Sequence, residues 1–433
     1  MAILLSFSFA PQFAGAADNL PPVVYGTDPY NYNYGKIRGD DPFQAQQPQQ
    51  AAPQYQPQYQ PQYQPQNQPE PQMQVQQSQP YQPAAEDPEN IENQLKAKHK
   101  FALLVPLSGK GADIGKALRD AAKLAMAEKG STEYALIAID TNANGADEAA
   151  QKAASYGVEV ILGPVFSDDV TKVAKIARKN KIKVISFSNN RVIAGNGVYV
   201  FGMIPSQQVD RMLLFAGNKG IKNYSAIVPN NAYGASVGEM TRKFAGWIGG
   251  NLYEVGLYSA KTAPSTAAGV ISDAYKAKGA KPSLTNDAII IPEGGSKLKN
   301  VVAALSKAGL SCGRLRCLGV ATWDDRNIIS SPALNGAWYA SIPYEDTEDF
   351  LRRFEQKFRY MPDEIAALGY DLAALAVELS PNFSKESIEN KQGFKGITGV
   401  YRFTGEGINQ RSYAVYEIKN GIAHIIDTAG DRF

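Results

Sequence analysis

The residues best placed to do chemistry lie in "KFALLVPLSGKGADIGKAL", Lys100 to Leu118. An apolar run, Phe101–Val105, leads into Gly109, Gly111 and Gly115 and then into a helical pattern. Strand, glycine loop and helix is an arrangement that cradles phosphate, because backbone N–H groups and a helix N-terminus attract anions. A loop of the G-x4-G-K-[ST] type is excluded. Five residues lie between Gly109 and Gly115, and Ala117 stands where the metal-binding hydroxyl belongs. A dinucleotide fingerprint calls for an acid about 20 residues further on. Asp140 lies 29 residues past Gly111. No cofactor is therefore expected.

A second motif, Gly234-Ala235-Ser236-Val237-Gly238, matches the G-x-S-x-G nucleophile elbow. A serine hydrolase also needs a histidine base, and the chain has only His99 and His424. Four residues separate the strand-like "AIVP" from Gly234, whereas the elbow is a sharp strand-to-helix turn. Small residues opening a helix account for the match. Hydrolysis through Ser236 is kept as a remote alternative, and the chain is read as not an enzyme. Asp168-Asp169 and Asp324-Asp325 are adjacent carboxylates with no His or Cys beside them, so no metal site is expected. Ser167 before Asp168-Asp169 has the type of a helix N-cap whose acids complement the helix dipole. The only cysteines, Cys312 and Cys317, are close together without a CxxC spacing or a nearby histidine. They read as a structural disulfide or inert thiols.

The elements that position these residues alternate. Phe101–Val105, Tyr134–Ile139, Val158–Leu162 and Lys183–Phe187 read as strands, separated by helices over Ile114–Lys129, Glu148–Tyr156 and Val170–Lys179. The strands are continuous apolar runs, as in a parallel sheet covered on both faces. The pattern then restarts. "YSAIVP", "LYEVGLY", "AIIIP" and "LRCLGVA" read as strands, with helices over Gly238–Ile248, Ala267–Ala277 and Leu298–Ala308. Helices over Phe350–Tyr360 and Ile365–Leu379 follow, and "SYAVYEIKNGIAHIID" alternates around the turn signal Asn420-Gly421. The fold class is α/β, with two Rossmann-like lobes.

The chain has 433 residues and a net charge of +2, so it lacks the basic footprint of a nucleic-acid partner. No run approaches the length of a spanning helix. Residues 1–16 have the composition of a secretory signal, with Ala14-Gly15-Ala16 as the small-residue cleavage pattern and no basic residue ahead of the apolar stretch. With no cysteine near that point, a lipid anchor there is not expected. Residues 17–97 read as a disordered linker. Its "PQYQPQYQPQYQPQ" repeat cannot bury enough apolar surface to offset the entropy of ordering, and its prolines favour an extended spacer.

Four segments in order carry a family resemblance: "LLVPLSGKGADIGKALRDAAKLAM", "VEVILGPVFSDDVTKVAKIARKNKIKVISFSNN", "NYSAIVPNNAYGASVGE" and "GAWYASIPYED". Together they resemble the type I periplasmic solute-binding proteins of the leucine-binding family. The resemblance covers about Lys98 to Phe433. It implies two lobes joined by three hinge crossovers, with 98–203 and 343–400 in the first and 204–342 and 401–433 in the second. It also implies a small amino-acid-like ligand captured by lobe closure, and delivery to an ABC permease from the periplasm. On this likeness Leu107, Ser108 and Gly109 wall the first lobe, with Ser108 facing the gap. Ser167 matches the carboxylate-binding serine. Ser188, Asn189 and Asn190 match the stretch after the fourth strand, and Tyr233 matches the stacking tyrosine. The family's ammonium-binding acid falls at Thr322-Trp323, a departure that leaves Glu293, Asp324 or Asp325 as substitutes. Glu293 and Trp323 complete the expected ligand-binding set. "ALLVPLSG", "GPVFSDDV" and "FSNNRVIAGNGVYVFG" also resemble the penicillin-binding protein activator branch, which implies a peptidoglycan synthase as partner instead.

Overall fold

The structure, a computed structural model, describes residues 88–362, 365–430 and 433. The expected signal segment and nearly all of the spacer lie outside them. A short helix α1 (Pro88–Leu95) occupies the last part of the stretch read as linker, and Leu95 packs against the first lobe's core.

The first lobe runs β1 (His99–Val105), α2 (Ala112–Lys129), β2 (Tyr134–Asp140), α3 (Ala146–Ser155), β3 (Val160–Leu162), α4 (Ser167–Lys179), β4 (Lys183–Ser186) and β5 (Val198–Val200). Its strands are all parallel, in the order β2-β1-β3-β4-β5. The continuous apolar run of β1 has a direct cause. Phe101, Leu103 and Val105 join the core that includes Leu118 of α2, while Ala102 and Leu104 join the core under α3 and α4. With both faces covered there is no polar alternation to see, and each buried leucine contributes roughly 1.5–3 kcal/mol.

The second lobe runs α5 (Pro205–Asn218), β6 (Asn223–Pro229), α6 (Ala232–Trp247), β7 (Asn251–Tyr258), α7 (Pro264–Ala277), β8 (Asp287–Ile290), α8 (Gly295–Lys307), β9 (Arg316–Gly319), the one-turn α9 (Arg326–Ile329) and β10 (Trp338–Ser341). The chain returns through α10 (Tyr344–Phe358), α11 (Ala366–Leu379), the one-turn α12 (Lys385–Ile388), β11 (Phe394–Gly396), β12 (Gly399–Phe403) and β13 (Asn409–Arg411). It ends in β14 (Ala414–Lys419) and β15 (Ile422–Asp427). The second sheet has the order β15-β14-β10-β9-β8-β6-β7, with β14 and β15 antiparallel. Asn420 (φ 53°) and Gly421 (φ 75°) form the tight turn that their types predict between β14 and β15.

A third sheet, β11-β12-β13, has no counterpart in the sequence reading. Phe394, Tyr401 and Phe403 bury into the first lobe's core, and Val200 N–H donates to Gly407 O at 2.8 Å. Strand β12 therefore stays with the first lobe beyond residue 400, where the last boundary was expected. The crossing comes after Arg411.

Three crossings join the lobes: after β5, after β10, and between β13 and β14. The first two leave each parallel sheet at its carboxyl end. Those ends therefore border the hinge, which is where open α/β sheets bind ligands. Cys312 and Cys317 are joined in a disulfide and buried, so the pair is structural.

Candidate functional site

Both glycine motifs have a packing origin. A Cβ on Gly115 would lie 1.8 Å from Pro106 O, and one on Gly234 would lie 1.8 Å from Pro229 O. In each lobe the first turns of a helix press on the carbonyl of a proline at the strand's carboxyl end. Only glycine permits that approach. Ser236 sits inside α6, its hydroxyl directed at Met240 Sδ, and His424 lies on edge strand β15 opposite Glu417. No strand-to-helix elbow exists there.

The loop after β1 is held from β2. Asp140 Oδ1 accepts from Leu107 N–H at 2.8 Å and Asn142 N–H at 2.9 Å. The Asn142 side-chain amide donates to Ser108 O at 2.6 Å and Lys110 O at 3.0 Å. Ser108, expected to face the gap, is exposed in this loop. Leu107 packs partly against the first lobe's core, and Gly109 takes a left-handed φ of 59° beside Asn142.

After β3 and β4, two expected residues come together. Ser167 Oγ lies 3.0 Å from Ser188 Oγ. Ser188 is buried, and its hydroxyl also accepts from Asn190 N–H at 3.2 Å. Ser167 is the first residue of α4 and not its cap. Phe166 holds the cap position without a side-chain bond, so the Ser167 hydroxyl is used by Ser188. Asn190 accepts from Val192 N–H at 3.0 Å, which caps the short turn after it, while Asn189 is exposed.

In the second lobe Tyr233 lies in the first turn of α6, half-buried against the neighbouring core. Glu293 follows β8 and is fixed at two points. Its carboxylate accepts from the hydroxyl of Tyr258, the last residue of β7. Its carbonyl accepts from Trp323 Nε1 at 2.8 Å and from the Thr322 hydroxyl at 3.2 Å. Trp323, expected to line the cleft, is fully buried in the second lobe's core. A Cβ on Gly319 would lie 2.1 Å from its ring, so the indole fills the space that glycine leaves. The residue shapes Glu293 from beneath and offers no face to a ligand.

The neighbouring acids are also engaged. Asp324 accepts from Ser341 Oγ at 2.9 Å and, more weakly, from the Tyr339 hydroxyl at 3.4 Å. Burial pushes its carboxyl up to about 6, against the opposing effect of these donors. Asp325 caps α9, accepting from Asn327 N–H at 2.7 Å and Ile328 N–H at 3.2 Å. Of the three substitute acids, Glu293 is the one at the carboxyl end of a parallel strand whose carboxylate is not committed to a helix cap or to Ser341. Sequence reasoning missed Tyr258 and the holding role of Asp140. The signal available for both was a polar residue at the end of a strand.

The arrangement matches known proteins in fold. One solved structure, a putative branched-chain amino acid ABC transporter protein from Rhodospirillum rubrum, superposes with a TM-score of 0.64 at 17% identity, covering 76% of this chain and 99% of that one. Full-length LpoA from Haemophilus influenzae gives 0.59 at 16% identity, covering 77% of this chain and 59% of that one. Among curated proteins, an uncharacterized protein of Rickettsia prowazekii, RP748, is 27% identical over 146 residues, which span 33% of this chain and 38% of that relative. Among the described residues no helix is long and apolar enough to cross a membrane. A periplasmic binding protein family model matches residues 98–421, three quarters of the sequence, and the chain belongs to that family.

Proposed function

We propose that this protein is a non-enzymatic binding protein of the periplasm, exported by its N-terminal segment, that captures a small amino-acid-like solute between its lobes for ABC-type import. One observation carries the reading: Glu293 is held by Tyr258 and Trp323 at the carboxyl ends of the second sheet. A carboxylate oriented before binding suits a ligand's ammonium or amide group at low entropic cost. The Ser167–Ser188 hydroxyl pair at the start of α4 supplies polar contacts at the corresponding ends of the first sheet. Calorimetric titration with a panel of amino acids and amides tests it. At least one should bind, and Glu293→Gln should weaken that binding by tenfold or more. No heat from any member of the panel rejects the reading.

A second reading is favoured by the resemblance to penicillin-binding protein activators and by the Pro/Gln-rich spacer. In it the folded head regulates a peptidoglycan synthase by direct contact, and the spacer gives it reach. The purified protein should then stimulate a synthase without any added solute. Absence of both binding and stimulation with the synthases of the same cell rejects it.

A further inference from the structure

The loop after β1 has the shape of an oxyanion cradle, yet its donors are already engaged. Leu107 N–H and Asn142 N–H both point at Asp140 Oδ1, at 2.8 and 2.9 Å. Asn142 then closes the loop from outside through Ser108 O and Lys110 O. Converging donors around one carboxylate are what a protein offers a bound phosphate or carboxylate ligand. Here the anion is a side chain of the chain itself. Burial opposes ionisation of Asp140, but the Ser108 hydroxyl and the surrounding N–H groups outweigh it and hold the carboxyl below its ordinary range.

We propose that Asp140 is a specificity-determining residue: a built-in anion that fills the amide cradle of Leu107 and Asn142 and so denies this site to solute phosphates and carboxylates. The donors are backbone amides of the loops after β1 and β2, not the N-terminus of α2. The Asp140 carboxylate does two things at once. It fixes the loop's position against β2, and it presents a negative charge where a nucleotide-binding loop presents open donors. An anionic group of a solute is left to other parts of the cleft. The inference holds whichever partner the protein serves.

Removing the carboxylate should open the cradle. Asp140→Ala is to be unfolded thermally in chloride and in about 10 mM inorganic phosphate or acetate at matched ionic strength, beside the unaltered protein. Phosphate stabilises most proteins non-specifically, so the readout is the difference between the two proteins. Phosphate or acetate should raise the Tm of Asp140→Ala by about 3 °C more than that of the unaltered protein, and restore part of the stability lost. Asp140→Ser is too short to reach the two donors and also removes the charge. It serves if the alanine variant does not fold, and it too should respond to phosphate more than the unaltered protein does. The proposal is overturned if the folded variants respond no more than the unaltered protein, or if the unaltered protein itself binds phosphate saturably by calorimetry.

Discussion

The Arg411 guanidinium and the Asp371 carboxylate are linked through one hydroxyl, that of Thr398, which accepts from Arg411 Nη1 and donates to Asp371 Oδ2. Both charged groups are buried. Arg411 also donates through Nη2 to Phe201 O at 3.2 Å, and its backbone N–H donates to Gln207 Oε1 at 3.1 Å. Its guanidinium lies 4.3 Å from the Phe201 ring centre. Phe201 opens the first crossing, Arg411 precedes the third, and Gln207 belongs to α5 of the second lobe. The buried guanidinium thus ties two hinge segments together, and the backbone of the same residue reaches the second lobe.

Breaking this link by Arg411→Met should cost about 3–5 kcal/mol, because Asp371 would keep its burial and lose the compensating Arg411 charge. Burial already pushes the Asp371 carboxyl upward, opposed by Thr398 and Arg411. Urea unfolding reads the loss as a lower midpoint. Since Asp371 also accepts from Ile397 and Thr398 N–H groups, a double variant with Asp371→Leu should differ from the sum of the single effects by more than about 0.5 kcal/mol. Additive costs would show that the two residues act independently.

Asp324 makes a pH prediction with an unusual sign. Its carboxyl is pushed up to about 6 by burial, against about 3.9 in an unfolded chain. The folded state therefore binds more protons than the unfolded state between those values. The stability Asp324 contributes is present below about pH 4 and is lost as the pH rises through about 6. Asp324→Asn should remove that slope, so the variant gains on the unaltered protein as the pH rises from about 4 to 7. Denaturant titrations at several pH values check it, and parallel stability profiles would refute it.

Two glycines of α6 should respond oppositely to alanine. Gly234 has Pro229 O at 1.8 Å from its would-be Cβ, so Gly234→Ala must push helix from strand, at a cost of about 2 kcal/mol or more. Gly246 has nothing within 4 Å of that position and is exposed near the helix end. Gly246→Ala should stabilise by about 0.5–1 kcal/mol by restricting the unfolded chain. Thermal unfolding of the two variants decides the point. A similar effect on both would show that packing at Pro229 is not the reason for Gly234.

Tyr258→Phe separates the two functional readings. It removes the hydroxyl that holds Glu293. If a solute is captured, affinity should change about three- to tenfold, in line with one hydrogen bond. If the protein works by contact with a synthase alone, stimulation should be unchanged by both Tyr258→Phe and Glu293→Gln. Calorimetry and a synthase assay on the same preparations read both outcomes.

Much of the fold was legible because burial on two faces writes itself into a strand as an unbroken apolar run. Phe101–Val105 and the matching runs after it located the parallel strands, and Asn420-Gly421 located the final turn. The sheet of β11, β12 and β13 was not legible. Its strands are 3, 5 and 3 residues long, too short for a period to emerge, and they are held by contacts with Val200, Phe201 and Asp371 that are distant in sequence. For the same reason the last crossing lay beyond the expected boundary at residue 400.

By itself the sequence determined the α/β class, the restart into a second lobe and the rejection of a phosphate loop, since these depend on periodicity and on spacing along the chain. Tertiary structure alone decided what each polar or aromatic residue does. Trp323 and Tyr233 are both aromatics just beyond strands of the second sheet, yet Gly319 leaves room that Trp323 fills in the core, while Tyr233 stays half-exposed. Ser167 has the type of a cap, but the nearness of Ser188 gives its hydroxyl another partner. Asp140 has the position of a ligand-binding acid, but the loop amides of Leu107 and Asn142 engage it. Side-chain type limits which bonds a residue can make, and only the packed neighbours determine which of them form.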